Sequence, residues 1–381
     1  MTLRRRLALV LFGILLAAGV GEAALRLWNG EARLFVALVG RTTADLPMHR
    51  RSDDPELLYE LIPSQDVTVS SELAKLHPEE AAHADDPRRM ATNSLGFRDV
   101  ERAPSKPEGV LRVLCLGGSN TYGAAVSQGR TWPAQLEQVL RERGHDDVEV
   151  WNLGTDGYQT RQKIRLAEKA LAEWEPDLLL FQLANTGPRL IIDGMQDEVE
   201  VWLDPARLPM DGGMYAENLQ FFPGTDRWHR PLWLGSSLLR VSMVAVNRIH
   251  RSYLLSGTFP DALVERAESR SGAQFGHLVV EARPQTESVL FVPPAGGVPP
   301  WVEGLDLPFI DTRGLSDDGL PDIALLHPGA RTYRWYAERL ADAFLDGGCL
   351  APNPMGTLRC EDLPRTQDRL ALGREPAMAP D

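Results

Sequence analysis

The chain has 381 residues, 43% of them hydrophobic and 24% charged, enough for one large domain or two ordinary ones around an ample core. Its formal net charge of -13 argues against a nucleic-acid backbone as partner. The three cysteines have no zinc-site spacing, and the sequence calls for no metal or other cofactor.

The chain begins with Arg4-Arg5-Arg6 and an apolar run over residues 7–21 that Glu22 interrupts, the layout of an export signal. A run of about 15 is short for a span of about 20, but Ala23, Ala24, Leu25, Leu27 and Trp28 extend it to the interface. Gly21-Glu22-Ala23 is a passable cleavage site, so a cleaved signal peptide stands beside an uncleaved anchor. Length and flanks favour the anchor. By the positive-inside rule the arginines stay cytoplasmic and the rest is exported, to a periplasmic or extracellular space. Residues 1–29 are therefore read as a signal-anchor. Residues 30–109 form an irregular exported stalk or cap, with a charged patch at 77–89 expected to be mobile. Two phrases stand out there, Leu58-Tyr59-Glu60-Leu61-Ile62-Pro63 and Asn93-Ser94-Leu95-Gly96-Phe97-Arg98-Asp99, which alone predict a short strand and a turn.

From residue 110 the pattern becomes α/β. Residues 113–116 are apolar without alternation, as in a parallel strand covered on both faces, and Gly117-Gly118-Ser119 ends them abruptly. A helix follows over 131–143, with Pro133 near its start and Gly144 past its end. Strand 148–153, helix 160–174 and strand 178–183 come next. Residues 188–231 lose regularity; with Trp202, Trp228 and Trp233 they read as an insertion at about 188–235, over the carboxyl edge of the sheet. A helix is expected at 238–255, strands at 288–292 and 308–311, and an amphipathic helix at 329–345 behind His327-Pro328. The domain runs over 110–347, and the Pro-rich tail, 348–381, reads as unfolded or loosely packed. Cys115 belongs to the apolar strand as an inert core residue, whereas Cys349 and Cys360 flank a Pro/Gly loop and can pair in an oxidising space.

Three successive strands end in small or polar residues at one edge, which is where open α/β sheets place their chemistry. Ser119 stands at a tight strand-to-helix turn, where its hydroxyl is exposed and the following N–H groups can meet an oxyanion. A serine nucleophile needs a base. His327 follows the last strand and precedes the last helix, so it reaches that edge; His49, His77 and His83 lie in the stalk, His145, His250 and His277 in or beside helices, and His229 in the insertion. Asp322 is the nearest carboxylate before His327, with Asp317 and Asp318 further off. Gly154 and Asn185, at the next two strand ends, can supply a backbone N–H and a side-chain amide to the oxyanion. Gly118 to Gly123 has the glycine spacing of a phosphate loop, but Ala124-Ala125 occupy the places of its Lys and Ser/Thr.

These residues carry a resemblance. Leu116-Gly117-Gly118-Ser119-Asn120-Thr121-Tyr122-Gly123, Asn152-Leu153-Gly154-Thr155-Asp156-Gly157-Tyr158, Leu183-Ala184-Asn185-Thr186 and His327-Pro328-Gly329-Ala330 resemble the four blocks of the GDSL-type SGNH hydrolases. The two leader phrases are similar to those of membrane-anchored bacterial members. The resemblance implies a three-layer α/β/α domain with a parallel, flavodoxin-like sheet of about five strands. It implies acyl transfer from an oxygen ester through Ser119, with His327 as base and the Ser119 N–H, Gly154 N–H and Asn185 amide as oxyanion hole. Acylated cell-envelope glycans or lipids are the implied substrates. Gly118 stands where the family usually has Asp, Thr186 follows Asn185 where Asp is usual, and Ala324 takes the place of the acid three residues before the histidine. Either a rearranged loop lets Asp322, five residues before His327, reach the imidazole, or the site runs as a serine–histidine pair with a main-chain carbonyl orienting the ring, at reduced rate. The competing reading is a glycan-binding protein that keeps the fold, has lost the acid and uses the insertion's tryptophans.

Overall fold

The computed structural model describes residues 2–27, 48–54, 57, 59–68, 89–158, 160–183, 236–239, 242, 261–282, 285–315, 317, 319, 320, 322, 323, 325, 327–350 and 359–367. Helix α1 (Leu3–Leu27) buries only Leu25. It is the one helix among the described residues long and apolar enough to cross a membrane, with a mean hydropathy of 2.2 over its most apolar window. Near its end Glu22 accepts hydrogen bonds from Ser236 Oγ (2.9 Å), Ser237 N (3.0 Å) and Leu238 N (2.8 Å).

Two antiparallel pairs follow, β1 (His49–Arg51) with β2 (Tyr59–Leu61) and β3 (Asp66–Thr68) with β4 (Arg89–Ala91). Of the charged patch at 77–89 only Arg89 lies inside the described residues, and it forks onto Asp66 at 2.8 and 2.6 Å.

The body is a five-stranded parallel sheet. Strands β5 (Leu111–Leu116), β6 (Val148–Asn152), β7 (Leu178–Gln182), β8 (Glu287–Val292) and β9 (Phe309–Asp311) lie in the order β6-β5-β7-β8-β9. Counted from β5 that is 2-1-3-4-5, the flavodoxin-like order, with its switch point between β5 and β7. The helices are α2 (Ser119–Tyr122), α3 (Trp132–Glu142), α4 (Thr160–Glu173), α5 (Asp261–Ala282) and α6 (Ala330–Asp346). One face is covered by α3 and α6 through Leu136, Leu140, Tyr333 and Phe344, and the other by α4 and α5 through Ile164, Ala167, Phe275 and Leu278. Val113 and Cys115 join the first layer, Leu114 and Leu116 the second. A strand dry on both faces favours apolar residues on both, which is why residues 113–116 of β5 show no alternation.

Proline stands in the first turn of α3, as the sequence predicts, and Thr131, expected as its first residue, instead caps it by accepting from Ala134 N at 3.4 Å. Helix α5 was not expected, because Ser269, Ser271, Gly272 and Gly276 weaken its pattern. Gly272 is needed there: a Cβ would stand 2.7 Å from that of Trp301. Of the helix expected at 238–255, only 238, 239 and 242 are described, and these are helical. The insertion at 188–235 lies outside the described residues.

The tail departs from expectation. Residues 359–367 are packed rather than loose: Phe309 N donates to Pro364 O (2.8 Å), Thr366 N donates to Leu307 O (3.0 Å), and Cys360 and Leu363 are buried. Cys349 and Cys360 are joined in a disulfide, which pins this segment beside β9 and covers what would be an open sheet edge. Residues 351–358 and 368–381 lie outside the described residues.

Candidate active site

The carboxyl ends of β5, β6 and β7 meet at one edge, and the chain after β5 is shaped by close contacts. A Cβ on Gly117 would fall 1.8 Å from Thr121 Oγ1, so α2 folds directly back over this residue and only glycine fits. Ser119 is the first residue of α2. Tyr122 N donates to Gly118 O and Gly123 N to Ser119 O, both at 2.9 Å. Gly123 closes the helix in the left-handed region at φ 80°. Ser119 is left partly exposed while Asn120, Thr121 and Tyr122 are buried.

At the end of β6, Gly154 lies against this turn. A Cβ there would come 2.3 Å from Tyr122 N and 2.6 Å from Thr121 C. Its N–H donates to Asn152 Oδ1 at 2.9 Å, so an oxyanion would have to share or take over this donor. Asn185, the second expected donor, lies outside the described residues. Gln182, the last residue of β7, was not singled out from sequence. It is buried, and its Oε1 accepts a hydrogen bond from Thr121 Oγ1, tying β7 to the turn that carries Ser119. The signal for it was a lone polar residue ending an apolar strand.

His327 is brought to this edge. Its Nε2 stands 2.7 Å from Ser119 Oγ, a hydrogen bond that the hydroxyl donates when the ring proton is on Nδ1. The carboxylate of Asp322 closes the loop that carries His327: Oδ2 accepts from Gly329 N and Oδ1 from Thr332 Oγ1, both at 2.5 Å. Both donors belong to the start of α6, where a carboxylate also suits the helix dipole. Thr332, fully buried, was likewise missed, since only its place one turn into α6 identifies it.

The leader phrases are part of the same construction. Met48, Leu61 and Met90 pack with Tyr122 and Ala124. Burial pushes the Tyr122 phenol up to about 12, and its hydroxyl donates to Met48 Sδ and Met90 Sδ at 3.5 Å. Asn93 organises the turn, Oδ1 accepting from Leu95 N (3.1 Å) and Phe97 N (2.9 Å) while Nδ2 donates to Val100 O (3.0 Å). Arg98 and Asp99 then enter the interior. Burial pushes the Asp99 carboxyl up, against the opposing pull of Arg102, which pairs with it at 3.0 Å.

No protein-family model matches the chain, and no curated protein matches it in sequence. Among solved structures it is similar to a lipolytic protein of the G-D-S-L family from Desulfitobacterium hafniense DCB-2, at 13% identity and TM-score 0.32, over 61% of this chain and 98% of that one. It is similar to the acetylxylan esterase Axe2 from Geobacillus stearothermophilus, at 14% identity and TM-score 0.32, over 62% and 95% of the two chains. A third is the psychrotrophic esterase EstA from Pseudoalteromonas sp., at 14% identity and TM-score 0.27, over 61% and 96%. These likenesses are slight, and the functional reading stands on the chain's own residues.

Proposed function

We propose that this protein is a serine ester hydrolase of the SGNH type, held to a membrane by α1 with its catalytic domain exported. The observation that carries the reading is the 2.7 Å contact between Ser119 Oγ and His327 Nε2 at the switch-point edge of the sheet. Ser119 attacks the carbonyl carbon of an oxygen ester as its proton passes to His327 Nε2. The Ser119 N–H, with the Gly154 N–H and the Asn185 amide, meets the negative oxygen of the tetrahedral intermediate. His327 then returns the proton to the leaving alcohol, leaving a seryl ester. A second acceptor, activated by the same imidazole, releases the acyl group and restores Ser119. Water as acceptor makes an esterase or deacetylase, and a sugar hydroxyl makes an O-acyltransferase. Asp322 serves by holding the loop that presents His327.

The substrate class follows from the tether. An exported domain on a membrane anchor samples esters close to that membrane, so O-acylated envelope glycans or lipids are the substrates within its reach. Fluorophosphonate labelling tests the chemistry: wild type labels and hydrolyses p-nitrophenyl acetate, and Ser119→Ala does neither. Absence of labelling in the folded wild type would leave the binding-protein reading instead.

A further inference from the structure

We propose that Arg98, in the leader phrase and outside the four site blocks, is a positioning residue for the nucleophile turn. The inference rests on the ester-hydrolase reading of Ser119 and His327. Arg98 is 1% exposed. Its Nη1 donates to Tyr122 O at 2.8 Å and to Gly123 O, and its Nη2 donates to Val126 O. Its guanidinium carbon lies 5.1 Å from the centre of the Tyr122 ring.

Helix α2 has four residues, too few to hold itself, and its last carbonyl, that of Tyr122, and the Gly123 and Val126 carbonyls just past it draw donors from outside the helix. The guanidinium supplies those donors as a planar fork, which an ammonium cannot imitate. Gly123 leaves room for it: a Cβ there would stand 3.0 Å from Arg98 Nη1. Ser119 begins the helix whose end Arg98 holds, so the angle of that end sets where Oγ meets His327 Nε2. The neighbouring Asp99 secures the second strand end. It accepts from Asn152 N at 3.2 Å, and Asn152 Oδ1 in turn accepts from Gly154 N. One turn of the leader thus holds the serine and glycine blocks together.

The chain contains its own control. Arg112 is also fully buried, donates to the carbonyls of Ala103, Pro104 and Trp174, and stacks over Trp151 at 4.3 Å. It lies at the opposite end of β5, about 20 Å from Ser119 along the strand. Arg98→Lys and Arg112→Lys are to be compared in the full-length protein, by melting temperature, by kcat and KM on p-nitrophenyl acetate and by the rate of fluorophosphonate labelling. For Arg98→Lys, kcat and labelling rate should fall about 10- to 100-fold with little change in KM. For Arg112→Lys, kcat should stay within about threefold at a similar loss of melting temperature. Asn93→Ala, which loosens the turn that presents Arg98, is the milder variant should Arg98→Lys not fold, and should move kcat the same way. If Arg98→Lys, or Asn93→Ala in its place, keeps the kcat and labelling rate of Arg112→Lys, Arg98 is only structural and the inference is wrong. A wild type that neither labels nor hydrolyses would instead overturn the ester-hydrolase reading itself.

Discussion

At the scale of single residues, the turn that carries Ser119 is defined by what cannot be added to it. Gly154→Ala places a methyl group 2.3 Å from Tyr122 N, a backbone contact that no side-chain rotation relieves. The expected result is a loss of about 2–3 kcal/mol of stability, as for overpacking, with kcat down at least 100-fold, read by thermal unfolding and ester hydrolysis. Gly118→Ala is the contrast: its nearest neighbour would be Tyr158 O at 3.3 Å, and most activity should remain. Cys115 offers a third check. It is the free cysteine among the described residues, it is fully buried, and burial pushes its thiol well above the usual range. Iodoacetamide should therefore leave it untouched in the folded protein and alkylate it only after denaturation without reductant.

Between elements, Asp322 ties the loop that carries His327 to α6. The sequence points to it as a carboxylate near His327, and in the structure its two oxygens accept hydrogen bonds at the start of α6. Removing them with Asp322→Ala should cost about 1–2 kcal/mol, as for a lost cap, and lower kcat about 10-fold by loosening the His327 loop. Asp322→Asn can still accept from Gly329 N and bond Thr332 Oγ1, so it should keep kcat within about threefold. If it instead falls as far as Asp322→Ala, a charge on Asp322 is needed by the imidazole. This residue also marks how far the sequence could be read. Strands β5, β7 and β8 were legible because burial on both faces favours continuous apolar runs such as 113–116, 178–181 and 289–292, β6 by its apolar Val148, Val150 and Trp151, and Ser119 and His327 because each sits where a strand ends or the last helix begins. Helix α5 was not, since its glycines serve contacts such as that with Trp301, which lies elsewhere in the chain. Nor were the partners of Arg98 and Gln182, because a hydrogen bond between residues 24 or 61 positions apart leaves no local pattern.

For the molecule as a whole, the question is what α1, the proposed anchor, contributes beyond attachment. It runs with its leucines exposed, buries only Leu25, and touches the described body through Glu22, which binds the 236–238 segment and also takes Arg26 Nε at 2.6 Å. The sheet, its two helical layers and the β1–β4 pairs draw nothing from it, since the core clusters contain no α1 residue. An apolar helix exposed in this way is unfavourable in water and favourable in a bilayer, at about 25 cal/mol for each Å² of apolar surface. Deleting residues 1–29 should therefore move the protein from the carbonate-resistant membrane fraction to the soluble one. The melting temperature should change by no more than about 4 °C, the shift that about 1 kcal/mol produces in a domain of this size. Hydrolysis of soluble p-nitrophenyl acetate should persist at near-native kcat. Activity on an acyl ester presented in vesicles should fall about 10-fold or more, because an anchor raises the local concentration of enzyme at a surface rather than its intrinsic rate. A truncated protein that is unfolded, or that loses kcat on the soluble ester, would show that α1 supports the fold or the site through Glu22. Glu22→Gln in the full-length chain separates those two outcomes, since it keeps the anchor and weakens only the contact with Ser236, Ser237 and Leu238.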